Sequence, residues 1–193
     1  MKGTAVGFLA VVMMLATSGC MTTQSSNINL PRRPTQTELR EAAELALQDL
    51  YKTMPFSKTL LPKVKAILVF PWIYKAGFMV GGQTGDGVAL SSTGKVYNYY
   101  NISAASYGLQ IGAQGYSYAL FIMTDEAIQY MKDTGGLEVG VGPSVVLVDE
   151  GIAKTLSTTT AQDGVYAFIF NQKGLMAGLG IQGSKITRIN PAP

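Results

Sequence analysis

Three stretches of this chain set glycines on one parity and bulky apolar residues on the other, and nothing else in the sequence constrains the fold as tightly. Tyr107, Leu109, Ile111 and Ala113 alternate with Gly108 and Gly112; Val139, Val141, Val145 and Leu147 with Gly140 and Gly142; Leu175, Ala177, Leu179 and Ile181 with Gly178 and Gly180. A period of two belongs to a sheet surface, where successive side chains point to opposite faces. Glycine weakens a strand, so its repeated use needs a steric cause, either sharp curling of the sheet or a helix lying close against it. The expected fold is therefore α+β: a strongly curved antiparallel sheet or partly closed β-barrel with two to three packed helices. An open two-layer α/β sandwich is the alternative, and the pattern leaves the two open.

The grammar of the sheet is set by residues 66–90, AILVFPWIYKAGFMVGGQTGDGVAL. AILVF has the β-branched and aromatic content of a buried strand. Pro71 cannot donate to a ladder, so the strand is predicted to stop there. Phe78 and Val80 resume the alternation until Gly81, Gly82, Gly85 and Gly87, where a bulge or a close backbone approach is expected.

These motifs resemble the SYLF domain family: ILVFP at 67–71, KAGFMVGG at 75–82 and GDGV at 85–88, followed by SYGLQIGAQ at 106–114, FIMTDEAI at 121–128, Gly142-Pro143 and YAFIFNQKGLMAGLGIQG at 166–183. Together they span most of the chain from Leu39 onward. The resemblance implies contact with membranes, since the family is best known from eukaryotic proteins that bind phosphoinositide membranes and, in yeast, actin. Many relatives carry a Trp and a Pro near VYNYYN at 96–101, and this chain has neither. Tyr97, Tyr99 and Tyr100 there fit a pocket, an edge or simply the sheet.

The N-terminus reads MKGTAVGFLAVVMMLATSGC: one Lys, an apolar run from Ala5 to Ala16, small residues and then Cys20, the single cysteine. That is a secretory signal, residues 1–19, with a lipoprotein-type cleavage site. The apolar run is shorter than the roughly 20 residues of a membrane span. Cys20 is expected to carry acyl chains, palmitate among them, and Met21 rather than Asp after it implies sorting to the outer membrane, facing the periplasm. An ordinary signal peptide cut near Cys20 is the alternative. Residues 20–34 are polar and Pro-bounded, a tether spanning roughly 20 Å. Residues 35–193 suit a single domain.

Thr35 and Glu38 have capping-box spacing ahead of Leu39, Ala42, Ala43, Ala46 and Leu50, which share one helical stripe. The polar face holds Glu38, Glu41, Glu44 and Asp49, which suits anionic lipid poorly and favours packing on the sheet. Phe56 to Lys65 reads as a short helix or turn with Ser57 as cap. Thr124, Asp125 and Glu126 start another helix that ends near Gly135. Hairpin turns are expected at Gln114 to Ser117 and at Asn171 to Gly174, with a strand from Glu138 to Asp149 and a polar connection from Gly151 to Gly164.

No histidine is present, which removes His-based acid/base catalysis, Ser-His-Asp and Cys-His nucleophiles, and the common zinc sites. GLGIQG at 178–183 fits GxGxxG but lies in a predicted strand with no helix after it, so dinucleotide binding is rejected. Asp86 reads as a turn residue rather than a cation ligand. Clustered basic residues are lacking, and nucleic acid is not an expected partner. No enzyme activity, cofactor or metal is expected. The residues with the right chemistry for a bilayer interface are Lys63, Lys65, Trp72, Tyr74 and Lys75, since aromatic rings beside lysines suit a surface that is apolar below and wet above. Trp72 and Tyr74 plugging one end of the core is the competing reading. The sequence thus points to a lipid-binding lipoprotein of the outer membrane, or to an envelope scaffold that binds protein or peptidoglycan.

Overall fold

The computed structural model describes residues 32–138, 143–148 and 163–193. Residues Arg33–Pro193 form one compact unit. Its elements are α1 (Gln36–Thr53), α2 (Phe56–Leu60), β1 (Ala66–Leu90), β2 (Val96–Ile122), α3 (Asp125–Thr134), β3 (Gly136–Glu138), β4 (Val145–Val148) and β5 (Val165–Ile189).

Both long helices begin at the expected caps. The Thr35 amide donates to Glu38 Oε2 at 2.8 Å and the Glu38 amide donates to Thr35 Oγ1 at 3.3 Å, a closed capping box. Thr124 caps α3 through the Ala127 amide, and Gly135 ends it in the left-handed region at φ 68°. Ser57 does not cap α2: Pro55 holds that position, and the Ser57 hydroxyl donates back to the Met54 carbonyl at 2.7 Å.

The sheet runs in the order β1-β2-β5-β3, with β4 parallel to β5 and the other pairs antiparallel. Its three principal strands are 25 to 27 residues long, and a straight strand of that length would reach about 80 Å. Instead the sheet doubles back on itself as a strongly curled half-barrel, so the first half of β1 meets its own second half. A Cβ on Gly87 would lie 2.5 Å from both Phe70 Cδ1 and the Val69 carbonyl oxygen; one on Gly85 would lie 2.5 Å from the Trp72 carbonyl oxygen. Those two glycines are where the strand crosses itself, and side chains there would hold the halves apart. The strongly curved sheet expected from the sequence is thus present, with Gly85 and Gly87 of β1 at its crossing.

Several expected chain breaks are continuous strand. Pro71 lies inside β1 at a register shift between Phe70 and Ile73, a bulge that spares the ladder the missing N–H. The anticipated hairpins at Gln114 to Ser117 and Asn171 to Gly174 are the two sides of one bulge, where Gly115 pairs with Lys173 and Ser117 with Phe170. Of the anticipated strand from Glu138 to Asp149, Glu138 ends β3, which pairs with residues 185–187, and Val145–Val148 form β4, which pairs with residues 165–168 at the other end of β5; residues 139–142 and 149 fall outside the described residues. The polar connection expected from Gly151 to Gly164 falls almost wholly outside the described residues.

Curling creates two apolar interiors. Inside the fold, Leu68, Phe70 and Ile73 of one half meet Tyr100, Ile102 and Ile186 of the other, with Ala127 and Met131 of α3 closing the end. On the outer face, Leu47, Leu50 and Met54 cover Ile67, Val69, Phe121 and Phe168. α1 therefore packs on the sheet, burying Leu39, Ala43, Ala46, Leu47 and Leu50, while Ala42 is only partly covered.

Candidate membrane-contact site

The bend of the sheet is built from Gly77 to Gly81 in β1 and Gly108 to Gly112 in β2. Gly77 and Gly81 face each other so closely that a Cβ on Gly77 would sit 2.7 Å from Gly81 Cα. Met79 between them takes φ 60°, and Gly112 takes φ 131° with no room for a side chain against the Leu175 carbonyl. At this bend the alternating apolar residues have nothing to pack on. Phe78 is 70% exposed, Val80 64%, Tyr107 70%, Ile111 59% and Leu175 89%.

Cross-strand register gathers these side chains. Phe78 pairs with Ile111 and Val80 with Tyr107 across β1 and β2, while Leu175 of β5 pairs with Ala113, two residues from Ile111 on the same face. Monomeric proteins rarely expose contiguous apolar patches beyond a few hundred Å², and larger ones mark contacts with protein or membrane. Below the bend, Trp72 and Tyr74 are exposed on the face that carries Phe78, and Lys173 places its ammonium 5.5 Å from the Trp72 ring centroid. The reading of Trp72 and Tyr74 as a core plug is thereby corrected, because the bend carries them into solvent.

The five residues singled out from sequence do not form one site. Trp72, Tyr74 and Lys75 lie near the bend; Lys63 and Lys65 lie just before β1, where Lys65 pairs with Asp125 of α3 at 3.1 Å. Lys173, invisible as a partner of Trp72 in the linear sequence, takes the place assigned to them. Phe78, Met79, Val80, Tyr107, Ile111 and Leu175 were legible as sheet residues, but a period of two cannot say that their face meets water.

Charge is segregated along the fold. Segments 71–83, 103–117 and 171–184, which form the bend and its flanks, contain Lys75 and Lys173 and no Asp or Glu. Among the described residues the acids stand on α1, on α3, at Glu138 of β3, at Asp163 and at Asp86, whose Oδ1 accepts a hydrogen bond from Asn101 Nδ2 at 2.7 Å. Among the described residues no cluster of three or more His, Cys, Asp or Glu is present, and no helix is long and apolar enough to cross a membrane. GLGIQG lies within β5, away from the strand-to-helix turn a dinucleotide requires. Cys20 falls outside the described residues.

Inside the bend the polar groups are satisfied. The Tyr116 hydroxyl donates to Gln83 Oε1 at 2.8 Å and the Ser117 hydroxyl to the Pro71 carbonyl at 2.7 Å. Burial pushes Tyr116 up to about 12, opposed by the Gln83 hydrogen bond. Tyr118 is raised further, by burial first and then by Tyr116. These phenols stay neutral at physiological pH, so the bend rests on an uncharged interior.

Comparison with known proteins finds likeness over part of the chain. The family described as Ysc84, Las17-binding protein actin regulator, matches residues 103–192, which run from the first third of β2 to just past the end of β5. Protein YSC84 of Saccharomyces cerevisiae is 25% identical over 133 residues, covering 66% of this chain and 28% of the yeast protein. LAS seventeen-binding protein 3 of the same yeast is 26% identical over 133 residues, covering 66% of this chain and 29% of that protein. The matched stretch is thus less than a third of either relative. Residues 103–192 are thus similar to this family, and the chain is similar to its two yeast relatives over about two thirds of its length.

Proposed function

We propose that this protein is a non-enzymatic lipid-binding lipoprotein of the bacterial outer membrane, whose SYLF domain dips the bend of its sheet into a bilayer. The observation that carries the reading is the solvent-exposed apolar bend, from Phe78 to Val80 with Tyr107, Ile111 and Leu175, in segments that hold two lysines and no acid. Burying a large apolar side chain is worth about 1.5–3 kcal/mol, whereas a lysine near an anionic membrane surface contributes about 1 kcal/mol. The apolar term therefore dominates, and the lysines favour anionic headgroups and orient the domain. Acylation at Cys20 supplies the standing attachment, and two or more chains on one residue suffice for stable anchoring. The bend then sets how the tethered domain meets lipid.

Flotation of residues 33–193 with vesicles of phosphatidylglycerol and phosphatidylethanolamine tests the lipid contact apart from the anchor. Co-flotation at low salt supports it; absence of co-flotation contradicts it. Mass spectrometry showing an unmodified Cys20 thiol in the native host would contradict the anchor.

A second reading rests on the yeast relative LAS seventeen-binding protein 3, whose name is that of a protein-binding protein. On that reading the bend docks an envelope protein or peptidoglycan, and crosslinking in intact cells recovers one dominant partner whose yield falls in a Phe78→Asp variant.

A further inference from the structure

At the end of the fold opposite the Phe78 bend, α3 and the start of β1 leave a cleft of about 380 Å³, within the range of small-molecule sites. Its floor is the inner core itself: Ala66, Ala89, Ile122 and Met131 belong to the cluster enclosed by the folded sheet, and Ile128 packs against it. The mouth is polar and carries two cations, Lys65 and Lys132, and one carboxylate, Asp125, beside Tyr97 and Asn98. Lys65 is held by Asp125 at 3.1 Å, while Lys132 makes no ion pair among the described residues. Lys132 also sits in the last turn of α3, where a cation complements the helix dipole. That role accounts for its charge but not for the apolar hollow beneath it.

We infer that this cleft binds a single-chain amphiphile with an anionic head, its alkyl chain extending the inner core over Ile122, Ile128 and Met131 and its head meeting Lys132. A chain laid there buries surface that the cleft leaves in water. A carboxylate or phosphate at the mouth is placed beside an unpaired ammonium, with the Tyr97 hydroxyl and the Asn98 amide as further donors. A cationic head would meet the two lysines instead. The site is separate from the bend and does not depend on membrane insertion there.

Amide NMR spectra of residues 33–193 titrated with dodecanoate and with dodecyl phosphate, below their micellar limits, test the inference. Dodecyltrimethylammonium and acetate serve as comparators. The expected result is saturable shifts centred on Ala66, Ala89, Asn98, Ile122 and Met131 with either anionic probe, weakened at least about tenfold by Lys132→Glu and unchanged by Phe78→Asp. Tighter binding of dodecyl phosphate than dodecanoate would identify a phospholipid-derived ligand, and the reverse a free fatty acid. Equal binding of dodecyltrimethylammonium, shifts spread over the bend, no saturation, or a Lys132→Glu variant that binds as well as the parent would overturn it. Loss of vesicle flotation with these shifts intact would instead count only against the role of the bend.

Discussion

The Tyr116 hydroxyl and the Gln83 side-chain carbonyl meet at 2.8 Å across the two halves of the curled sheet, 33 residues apart in sequence and both buried. The bond ties the descending part of β2 to the returning part of β1, just inside the bend that carries the exposed apolar residues. A polar link here does what apolar packing alone would not: it selects one register for the fold-over, because any slip leaves two buried polar groups unpaired.

Gln83→Ala removes the acceptor and leaves the buried Tyr116 hydroxyl without its partner, and is expected to cost about 1–3 kcal/mol. Replacing both, Tyr116→Phe with Gln83→Leu, is expected to recover part of that loss, since neither polar group then remains. Urea denaturation of the parent, Tyr116→Phe, Gln83→Leu and the double variant gives the coupling directly, and strict additivity would show that the bond is not formed.

Alkaline pH should weaken the fold. Burial raises Tyr116, to about 12, and also Tyr118 and Tyr100. Between about pH 10 and 12 the unfolded chain has lost phenolic protons that the folded chain retains. Stability is therefore fully present below pH 10 and declines as pH rises through that window, by up to about 1.4 kcal/mol per pH unit for Tyr116, with Tyr118 and Tyr100 acting in the same direction. Denaturation midpoints at pH 8, 10 and 11 check the sign, and Tyr116→Phe should flatten the decline.

Gly87→Ala tests whether the sheet crosses itself. Its Cβ would lie 2.5 Å from the fully buried Phe70 ring and from the Val69 carbonyl oxygen. Overpacking of this kind costs about 1–3 kcal/mol. Gly94→Ala, at a turn position with open space but φ 84°, serves as the comparison for strain without a clash. A fall in thermal midpoint for Gly87→Ala that Phe70→Leu partly relieves is the expected result.

Much of this was readable from residue order. Thr35 with Glu38, and Thr124 ahead of two acids, located the long helices because capping is local chemistry. Glycine parity implied curling because a repeated loss of side chains on one face has few other causes. Strand ends were misread because Pro71, Gly115 and Asn171 to Gly174 use residue types that serve turns and bulges alike; only the partner strand distinguishes the two. Tyr107 and Ile111 show the deeper limit. Their alternation identifies a face, but whether that face is core or solvent depends on where the sheet bends, and that is decided by contacts between residues such as Phe70 and Gly87, far apart along β1. Lys65 lies seven positions before Trp72 along extended chain, and the pairing of β2 with β1 and β5 puts Lys173 in its place.

Trp72 is the single tryptophan of the chain, and it lies at the base of the exposed bend, so it reports directly on the central claim. Its fluorescence should be measured in residues 33–193 mixed with anionic vesicles whose acyl chains are brominated. Insertion of the bend predicts a blue shift and quenching by the brominated chains, persisting at 0.5 M salt because the apolar contribution outweighs the electrostatic one, and lost in Phe78→Asp with Leu175→Asp. An emission spectrum unchanged by vesicles at any salt concentration, or quenching that survives the double substitution, would contradict the account.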